Sequence, residues 1–269
     1  MIATTPATVP VPAPRRSLAR IFALETRCEL LKLLRLPGYT LPTLGFPLVF
    51  YIFFGVSLGG KTAGLIRLAT YMLATYGAFG VIGVALFGFG VATAVERGQG
   101  WMLLKRATPM PPFAWIAAKL ATCVAFSTVQ VGLLFLLGAT LGGVRMPAAS
   151  WAALGGTLIA GSIPFGAFGL ALGYLCGPNS AVAVMNLIHL PTAFLAGLWV
   201  PVAALPQVFQ RIAQFLPQYH FSQLALHIVG GGANGARPGT SVAVLAGFTA
   251  ASMALAAYAM RRDEGKTFG

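Results

Sequence analysis

The run LATYMLATYGAFGVIGVALFGFGVATAV, from Leu68 to Val95, contains 28 consecutive residues without a charged side chain, and Glu96 and Arg97 follow it directly. A helix needs roughly 20 apolar residues to cross a bilayer. This run is therefore long enough for one complete membrane span. It is also rich in glycine, as membrane helices commonly are. The run predicts a transmembrane helix whose end is marked by a pair of opposite charges.

The composition of the whole chain agrees with this prediction. Hydrophobic residues make up 57% of the 269 residues and charged residues only 9%, whereas about 25% is typical of globular proteins. The net charge of +13 could indicate a nucleic-acid partner. That function would need a basic face, and here the charges separate long apolar runs instead. The sequence therefore predicts an integral membrane protein in a lipid bilayer, with no nucleic-acid partner.

Five further apolar runs reach or approach the length of a span. One charge-free stretch, residues 146–210, is too long for a single helix, and the turn signal Gly177-Pro178-Asn179-Ser180 divides it. Together with a helix inside 68–95, the predicted spans are 39–58, 113–138, 151–176, 181–200 and 239–260. We therefore predict an all-α polytopic membrane protein with six transmembrane helices.

The distribution of Lys and Arg predicts the orientation. With the amino terminus inside, 12 of these residues fall in cytoplasmic segments and five fall outside, which is the asymmetry expected of cytoplasmic loops. Both termini are predicted to be cytoplasmic, in the cell (inner or plasma) membrane. The predicted units are a disordered tail at 1–16, one transmembrane domain at 17–260 and a cytoplasmic tail at 261–269.

Residues 17–36 predict an amphipathic helix on the inner membrane surface. Glu25, Glu29 and Lys32 share one helical face, and leucines cluster on the opposite face. The alternative is a plain cytoplasmic extension of the first span.

Residues 201–230 form a second unusual segment, because they are apolar yet carry Arg211, several glutamines and two histidines. Polar and apolar stripes alternate at helical spacing before and after Pro217. Such a pattern predicts a re-entrant pair of short helices at the outer face, which is tolerated where protein or water covers the polar groups.

Three histidines are candidate functional groups. His220 and His227 share a stripe with Gln223, but a metal site would need a nearby carboxylate or cysteine, so no metal is predicted. His189 lies inside a predicted span, where a proton relay is one interpretation. No acidic residue lies in any predicted span to partner it, which favours a hydrogen-bonded, neutral packing histidine.

The letters Gly55 to Thr62 match the phosphate-loop pattern GxxxxGK[ST]. In nucleotide-binding proteins that loop follows a buried strand, whereas here it follows a predicted membrane span on the outer side. Asp263 is the only aspartate in the chain, so a magnesium partner is also lacking. The match is interpreted as coincidence. The chain is not predicted to be an enzyme or to bind a cofactor, and ATP and Mg²⁺ are assigned to a separate subunit.

Residues 96–112 are predicted to touch a partner. The loop combines Glu96 and Arg97 with apolar residues and ends sharply at Pro109. Trp101, Leu103 and Leu104 are the candidate contact residues, and the Glu-Arg pair is the candidate for orienting them. This is the one predicted cytoplasmic loop that carries both signs of charge and apolar side chains.

This loop resembles the cytoplasmic coupling segment of type-2 ABC transporter permeases, the drug and polysaccharide exporter-like membrane subunits. That family carries a Glu-Arg-x-x-Gly start, a Leu-Leu pair and a Thr/Ser-Pro end. The matching residues are Glu96, Arg97, Gly100, Leu103, Leu104, Thr108 and Pro109. Trp101 and Met102 stand where the family often has Gly-Thr. The surface helix, the six spans and the outer segment, with its Leu205-Pro206 and Leu216-Pro217-x-Tyr219 elements, extend the resemblance over nearly the whole chain.

The resemblance implies a membrane subunit of an ABC exporter that forms the substrate path. Its expected partners are two copies of an ATP-binding subunit and a second permease subunit, identical or homologous. The alternative function is an ion- or proton-coupled secondary transporter, which would usually place paired ionisable groups in its spans. An integral membrane enzyme is disfavoured, because no nucleophile, base or metal cluster gathers near one face.

Overall fold

A computed structural model describes most of the chain. The described residues are 17–63, 65–102, 112–232 and 236–266. The predicted tail at 1–16 lies outside them. Within the described residues the chain is almost entirely helical, which confirms the prediction of a helical, multi-pass membrane protein.

The described residues up to Thr140 contain five α-helices interrupted by two π-helical turns. The helices are α1 Leu18–Leu34, α2 Pro37–Phe50, α3 Leu68–Ala85, α4 Ala92–Gly98 and α5 Pro112–Thr140. The π-helical turns Tyr51–Val56 and Leu86–Val91 extend α2 and join α3 to α4.

Six further helices complete the described fold. They are α6 Ala148–Ala160, α7 Ser162–Leu175, α8 Ala181–Leu195, α9 Gln207–Ala213, α10 Pro217–Ile228 and α11 Pro238–Lys266. A single 3₁₀ turn, Val202–Ala204, precedes α9.

Five helical segments of the described residues are long and apolar enough to cross a membrane. They are Pro37–Val56, Leu68–Gly98, Ala114–Thr140, Ala148–Leu175 and Pro238–Asp263. Each corresponds to a predicted span. The remaining predicted span, 181–200, contains α8, whose 15 residues are fewer than a helix needs to cross the bilayer unaided.

A short hairpin departs from the all-α prediction. Strand β1 (Thr62–Ala63) pairs antiparallel with β2 (Ile66–Arg67), and the Leu68 amide donates to the Lys61 carbonyl at 2.8 Å. The first strand of the hairpin begins at Thr62, the last residue of the segment that matches the phosphate-loop pattern. Gly55 lies in a π-helical turn, so a helix and not a strand precedes that motif, and the nucleotide-binding context is absent from it.

Helix α3 is the centre of the bundle. Every residue from Tyr71 to Ala85 is buried, because α2, α5, α7 and α10 pack around it. A helix that is hydrophobic on all sides suits this position. On α7, Gly169 and Gly173 allow close approach: a Cβ atom there would lie 2.8 Å from the Ala85 carbonyl oxygen and 2.5 Å from that of Gly90.

Both ends of the described chain lie at one end of the bundle, which we name the charged end. Lys32 of α1 pairs with Glu96, and Asp263 of α11 pairs with Arg97. The opposite end contains the hairpin, α9 and α10. The last helix continues to Lys266, so it extends past residue 260, where the last span was predicted to end.

Helix α1 turns its charged face toward the protein. Ser17 caps its first turn by accepting a hydrogen bond from the Arg20 amide at 3.3 Å. Glu29 and Leu33 are buried, whereas Leu24 and Leu34 are 44% and 55% exposed. The predicted amphipathic helix is therefore present, with its polar face packed inward and its leucines outward.

The segment 201–230 contains the two predicted short helices. On α9 the apolar side chains face outward, with Phe215 just beyond the helix 85% exposed. Helix α10 is buried over most of its length, including His220 and Gln223. The depth of this pair in the bilayer stays a prediction.

Candidate coupling site and transport groove

Four charged side chains meet at the charged end, and we name Glu29, Lys32, Glu96 and Lys119 the charge cluster. Lys119 donates to Glu96 Oε1 at 2.8 Å and to Glu29 Oε2 at 3.1 Å. Lys32 donates to Glu29 Oε2 at 2.7 Å and also pairs with Glu96. The cluster therefore joins α1, α4 and α5 through two carboxylates and two ammonium groups.

Burial makes the cluster depend on all its members. Lys119 is 2% exposed, Glu96 4% and Glu29 5%. An ion removed from water is costly unless it is paired and hydrogen-bonded. When one partner of such a buried pair is removed, the remaining charge is uncompensated, which destabilises a protein by about 3–5 kcal/mol. The four charges sum to zero, so the intact cluster is balanced.

Lys32 is the most accessible member, with 29% of its side chain exposed. Burial lowers the pKa of its ammonium group, but the carboxylates of Glu96 and Glu29 raise the pKa by more, so the net shift is upward. A raised lysine pKa keeps the group charged up to a pH above its usual titration range. Lys32 therefore stays cationic, and its contribution to stability is lost only in strongly alkaline solution.

Arg97 forms a second connection, which we name the arginine clamp. Its Nε donates to Asp263 Oδ2 at 3.1 Å, and Nη1 donates to the Gly173 and Tyr174 carbonyls at 2.9 and 2.8 Å. The guanidinium also lies over the Tyr174 ring, 5.2 Å from its centroid. The planar fork of an arginine suits several acceptors at once. The clamp fixes the end of α4 to the ends of α7 and α11.

The chain leaves this site through two glycines. A Cβ atom on Gly98 would lie 2.5 Å from Pro178 Cγ, so α4 ends in close contact with the turn before α8. Gly100 has φ of 76°, a left-handed conformation that favours glycine. Trp101 follows and is 50% exposed. The predicted contact residues Leu103 and Leu104 and the stop at Pro109 lie outside the described residues.

The structure thus gives the Glu-Arg pair a role that the sequence did not reveal. The pair was predicted to orient a contact with a partner. Both side chains instead make their described contacts inside the chain, Glu96 in the charge cluster and Arg97 in the arginine clamp. Of the predicted loop residues that are described, Trp101 has the most exposed large apolar side chain.

The remaining predicted residues divide between the two ends. Glu25 is half-buried on α1, one turn before Glu29. At the opposite end Arg211 is exposed on α9, Pro217 begins α10, and Tyr219 is buried.

His220 is bonded through both ring nitrogens. Nδ1 lies 3.2 Å from Ser241 Oγ, and Nε2 lies 2.9 Å from the Gln214 carbonyl oxygen. Its environment is that of a structural hydrogen-bonding residue joining α10 to α11.

A groove runs along the bundle from the charged end. It has two adjoining compartments of about 480 and 490 Å³, which share Leu36, Tyr39, Phe87 and Val91 in their walls. One wall is formed by residues that recur at every fourth position along the chain. They are Phe79, Gly83, Phe87, Val91, Val95 and Gln99. Twenty residues of helix extend roughly 30 Å, which is about the thickness of the hydrocarbon core.

His189 of α8 lines the deeper compartment. It is 2% exposed and stacks on Phe79, with ring centroids 4.6 Å apart. The prediction of a packing histidine agrees with this position, but the predicted hydrogen bond is wrong within the described residues, because neither ring nitrogen has a partner among them.

Sequence reasoning missed Lys119 and Asp263, neither of which was predicted to belong to the site. The observed spans contain a pair of ionisable groups, which lies at the charged end of the bundle. Lys119 lies within the span Ala114–Thr140 and Glu96 within Leu68–Gly98, and the two are bonded. A lone lysine inside an apolar run was the available signal, since such a charge needs a partner.

Comparisons with known proteins agree with this architecture. YvfS of Bacillus subtilis (strain 168), which bears the name of a transport permease, is 26% identical over 240 residues, covering 89% of this chain and 97% of that protein. The profile of the family described as ABC-2 family transporter protein matches residues 60–258, well over half of the chain. That range contains the end of α4 with its Glu-Arg pair, Lys119 and the long wall of the groove. The chain is therefore a member of the ABC-2 family of transporter proteins, a multi-pass membrane permease.

Proposed function

We propose that this chain is the membrane-spanning subunit of an ATP-driven exporter, that it forms the substrate path, and that it couples through residues 96–112 to a separate ATP-binding subunit. Family membership supports the general arrangement of a permease with an ATP-binding partner. In this proposal ATP and Mg²⁺ are bound by the partner, and the chain itself catalyses no reaction.

The observation that best supports coupling is that Glu96 and Arg97, which are adjacent in the chain, are each bonded to other helices. The charge cluster attaches this point to α1 and α5, and the arginine clamp attaches it to α7 and α11. A force on the loop that begins here would reach four helices through short polar contacts. Packed helices move as units rather than deforming continuously, so such a point suits the transmission of a partner's movement.

The charged end is proposed to face the cytoplasm, where the partner has access to ATP. The excess of Lys and Arg predicted for that side supports this orientation. A sixth crossing by residues 178–197 is supported by contacts at its two ends. Pro178 lies against Gly98 at the charged end, and the Tyr71 hydroxyl donates to the Gly197 carbonyl near the start of α3.

A second permease subunit, identical or homologous, is proposed to face the groove. The groove is lined by residues of α2, α3 and α8 and is only partly enclosed by this chain. A facing subunit would enclose it and convert it into a path between two chains. Two ATP-binding subunits would then dock at the two charged ends.

The test is reconstitution with the ATP-binding subunit that copurifies from native membranes. Proteoliposomes that contain both subunits should show vanadate-sensitive ATP hydrolysis and ATP-dependent movement of a fluorescent amphiphile. Transport should persist when an uncoupler removes the proton gradient. A chain that never associates with an ATP-binding subunit, or that transports without ATP, would contradict the proposal.

Ion- or proton-coupled transport is the second candidate function, and the buried pair of Lys119 and Glu96 favours it, because buried ionisable groups commonly bind coupling ions. The pair lies at one end of the bundle and is balanced by Glu29 and Lys32, so a proton would have to break an intact network. Transport that stops with the uncoupler and continues without ATP would favour this candidate.

A further inference from the structure

The walls of the groove are mainly apolar. Aromatic and aliphatic side chains from three helices line it, among them Tyr39, Phe46, Phe79 and Phe87. Because its two compartments adjoin and together extend along the helices, the groove suits a ligand with a long apolar chain rather than a compact one. A bulk lipid tail could enter such a surface without selection, so the polar groups in the groove must define its ligand.

The mouth of the groove at the charged end carries a surplus of positive charge. Lys32, Arg35, Glu96, Gln99 and Trp101 line it. The charges of Glu96 and Lys32 are both balanced inside the charge cluster, whereas Arg35 is exposed and forms no ion pair with any described residue. The unbalanced charge at the mouth is therefore that of Arg35, which disfavours a cationic head. An anionic head would meet a guanidinium suited to carboxylates and phosphates.

The deeper compartment contributes one polar side chain that has no protein partner. His189 is 2% exposed, and both its ring nitrogens lack a hydrogen-bond partner among the described residues. Buried polar groups are normally hydrogen-bonded. His189 lies beside Gly83, and the twelve residues from Gly83 to Val95 at the mouth place it roughly 18 Å along the groove.

We infer that the groove binds an acidic amphiphile whose anionic head lies at Arg35 and Lys32 and whose apolar body carries a hydrogen-bonding group that reaches His189. The inference rests on the proposed function, because it names the class of cargo that the substrate path accepts. The head could be a fatty-acid carboxylate or a lipid phosphate, since a guanidinium binds both.

The head is tested with two photoreactive probes of the same chain length, a diazirine-bearing fatty acid and the corresponding fatty alcohol. The full chain is labelled in phosphatidylcholine nanodiscs, and the labelled peptides are identified by mass spectrometry. The acid should label α2, α3 or α8 more strongly than the alcohol. Arg35→Gln should reduce labelling by the acid about fivefold, the upper range for an exposed ion pair, and leave the alcohol unchanged. A photoreactive phosphatidic acid should behave like the fatty acid if the phosphate is also accepted.

Arg27→Gln is the matched control, because Arg27 is an exposed arginine on α1, the helix that ends directly before Arg35, and does not line the groove. It should label like the unmodified chain. Equal labelling by acid and alcohol, an equal effect of the two arginine substitutions, or labelling confined to other surfaces would overturn the assignment of the head. An unlabelled groove that is instead crosslinked to a second copy would overturn it as well.

The body is tested by competition between oleate and ricinoleate, which differ by one hydroxyl group along the chain. Ricinoleate should displace the photoreactive acid at a concentration roughly fivefold lower, because a single hydrogen bond is worth about 1 kcal/mol. His189→Leu should make the two competitors equal. Equal competition in the unmodified chain would overturn the assignment of His189.

These results separate the inference from the proposed function. Binding of the acid in the groove without ATP-dependent transport would support the inference and contradict the exporter function. ATP-dependent transport by a chain whose groove does not distinguish acid from alcohol would overturn the inference and leave the exporter function intact.

Discussion

The two ends of the bundle are held together by different interactions. At the charged end, paired ions join helices that are distant in the sequence, as in the bonds of Lys119 to Glu29 and Glu96. At the opposite end the helices are joined by neutral or single-charge hydrogen bonds. Arg67 donates to the Gly143 carbonyl at 2.9 Å, and His220 contacts Ser241 at 3.2 Å.

This difference indicates how the two ends respond to a change. A buried ion network is stable only when every charge is matched, so the loss of one group affects all of the helices that it joins. A neutral hydrogen bond contributes less, and its loss stays local. The end that begins the loop at residue 96 is therefore the end where a small displacement has the largest consequences.

The largest effect on stability is expected from Lys119→Met. The substitution leaves the two buried carboxylates of the charge cluster, Glu29 and Glu96, with one ammonium group of that cluster, Lys32, and a buried unpaired charge costs about 3–5 kcal/mol. Thermal and denaturant unfolding in detergent should show this loss. Lys61→Met is the control, since Lys61 is exposed at the opposite end.

Adding Glu96→Gln to Lys119→Met should restore part of the lost stability, because removing both members of a pair is less harmful than removing one. If Lys119→Met were as stable as Lys61→Met, the charge cluster would not stabilise the fold, and the proposed difference in stability between the two ends would be wrong.

A smaller effect is expected from Arg97→Lys. Lysine keeps the charge but cannot reach Asp263 and two carbonyl oxygens in the same plane, so we expect a loss of about 2 kcal/mol. Hydrogen exchange should accelerate near Asp263 at the end of α11. Arg261→Lys, at an exposed position on the same helix, should leave exchange unchanged. Equal protection in both variants would show that the clamp does not hold α11.

His220→Leu tests the opposite end. It removes the contacts to Ser241 and to the Gln214 carbonyl, which should cost about 1–2 kcal/mol, less than Lys119→Met. His227→Leu is matched to it, since His227 is exposed on the same helix, and its unfolding midpoint should not move. A loss for His220→Leu that exceeds that of Lys119→Met would reverse the comparison.

The smallest effect is expected from Arg211→Ala. The side chain is exposed on α9, and exposed substitutions usually change stability by less than about 0.5 kcal/mol. ATP hydrolysis by the complex and the amount of copurified partner should equal those of the unmodified chain. A decrease in ATP hydrolysis or in copurified partner would show that the opposite end also makes a contact that the complex needs.

The sequence was sufficient to predict the helical class, five of the spans and the amphipathic character of α1, because each depends on local periodicity and run length. It was not sufficient to predict which faces meet. Glu29 and Lys119 are 90 residues apart, and Arg97 and Asp263 are 166 apart. Periodicity places a charge on a face, but only packing selects its partner. The end of α8 was missed for a different reason, because run length alone does not register the left-handed glycine at 197 (φ 77°) that follows the helix.

The most direct test of coupling at the charged end is the double substitution Leu103→Asp and Leu104→Asp. It should leave membrane insertion and folding unchanged and remove partner association, because burying two unpaired carboxylates in an apolar contact costs several kcal/mol. The measurement is the amount of ATP-binding subunit that copurifies in nanodiscs, together with ATP-dependent transport. We predict that both fall to background while the melting temperature of the chain is retained. Partner association and transport at the level of the unmodified chain would show that residues 96–112 are not the coupling element.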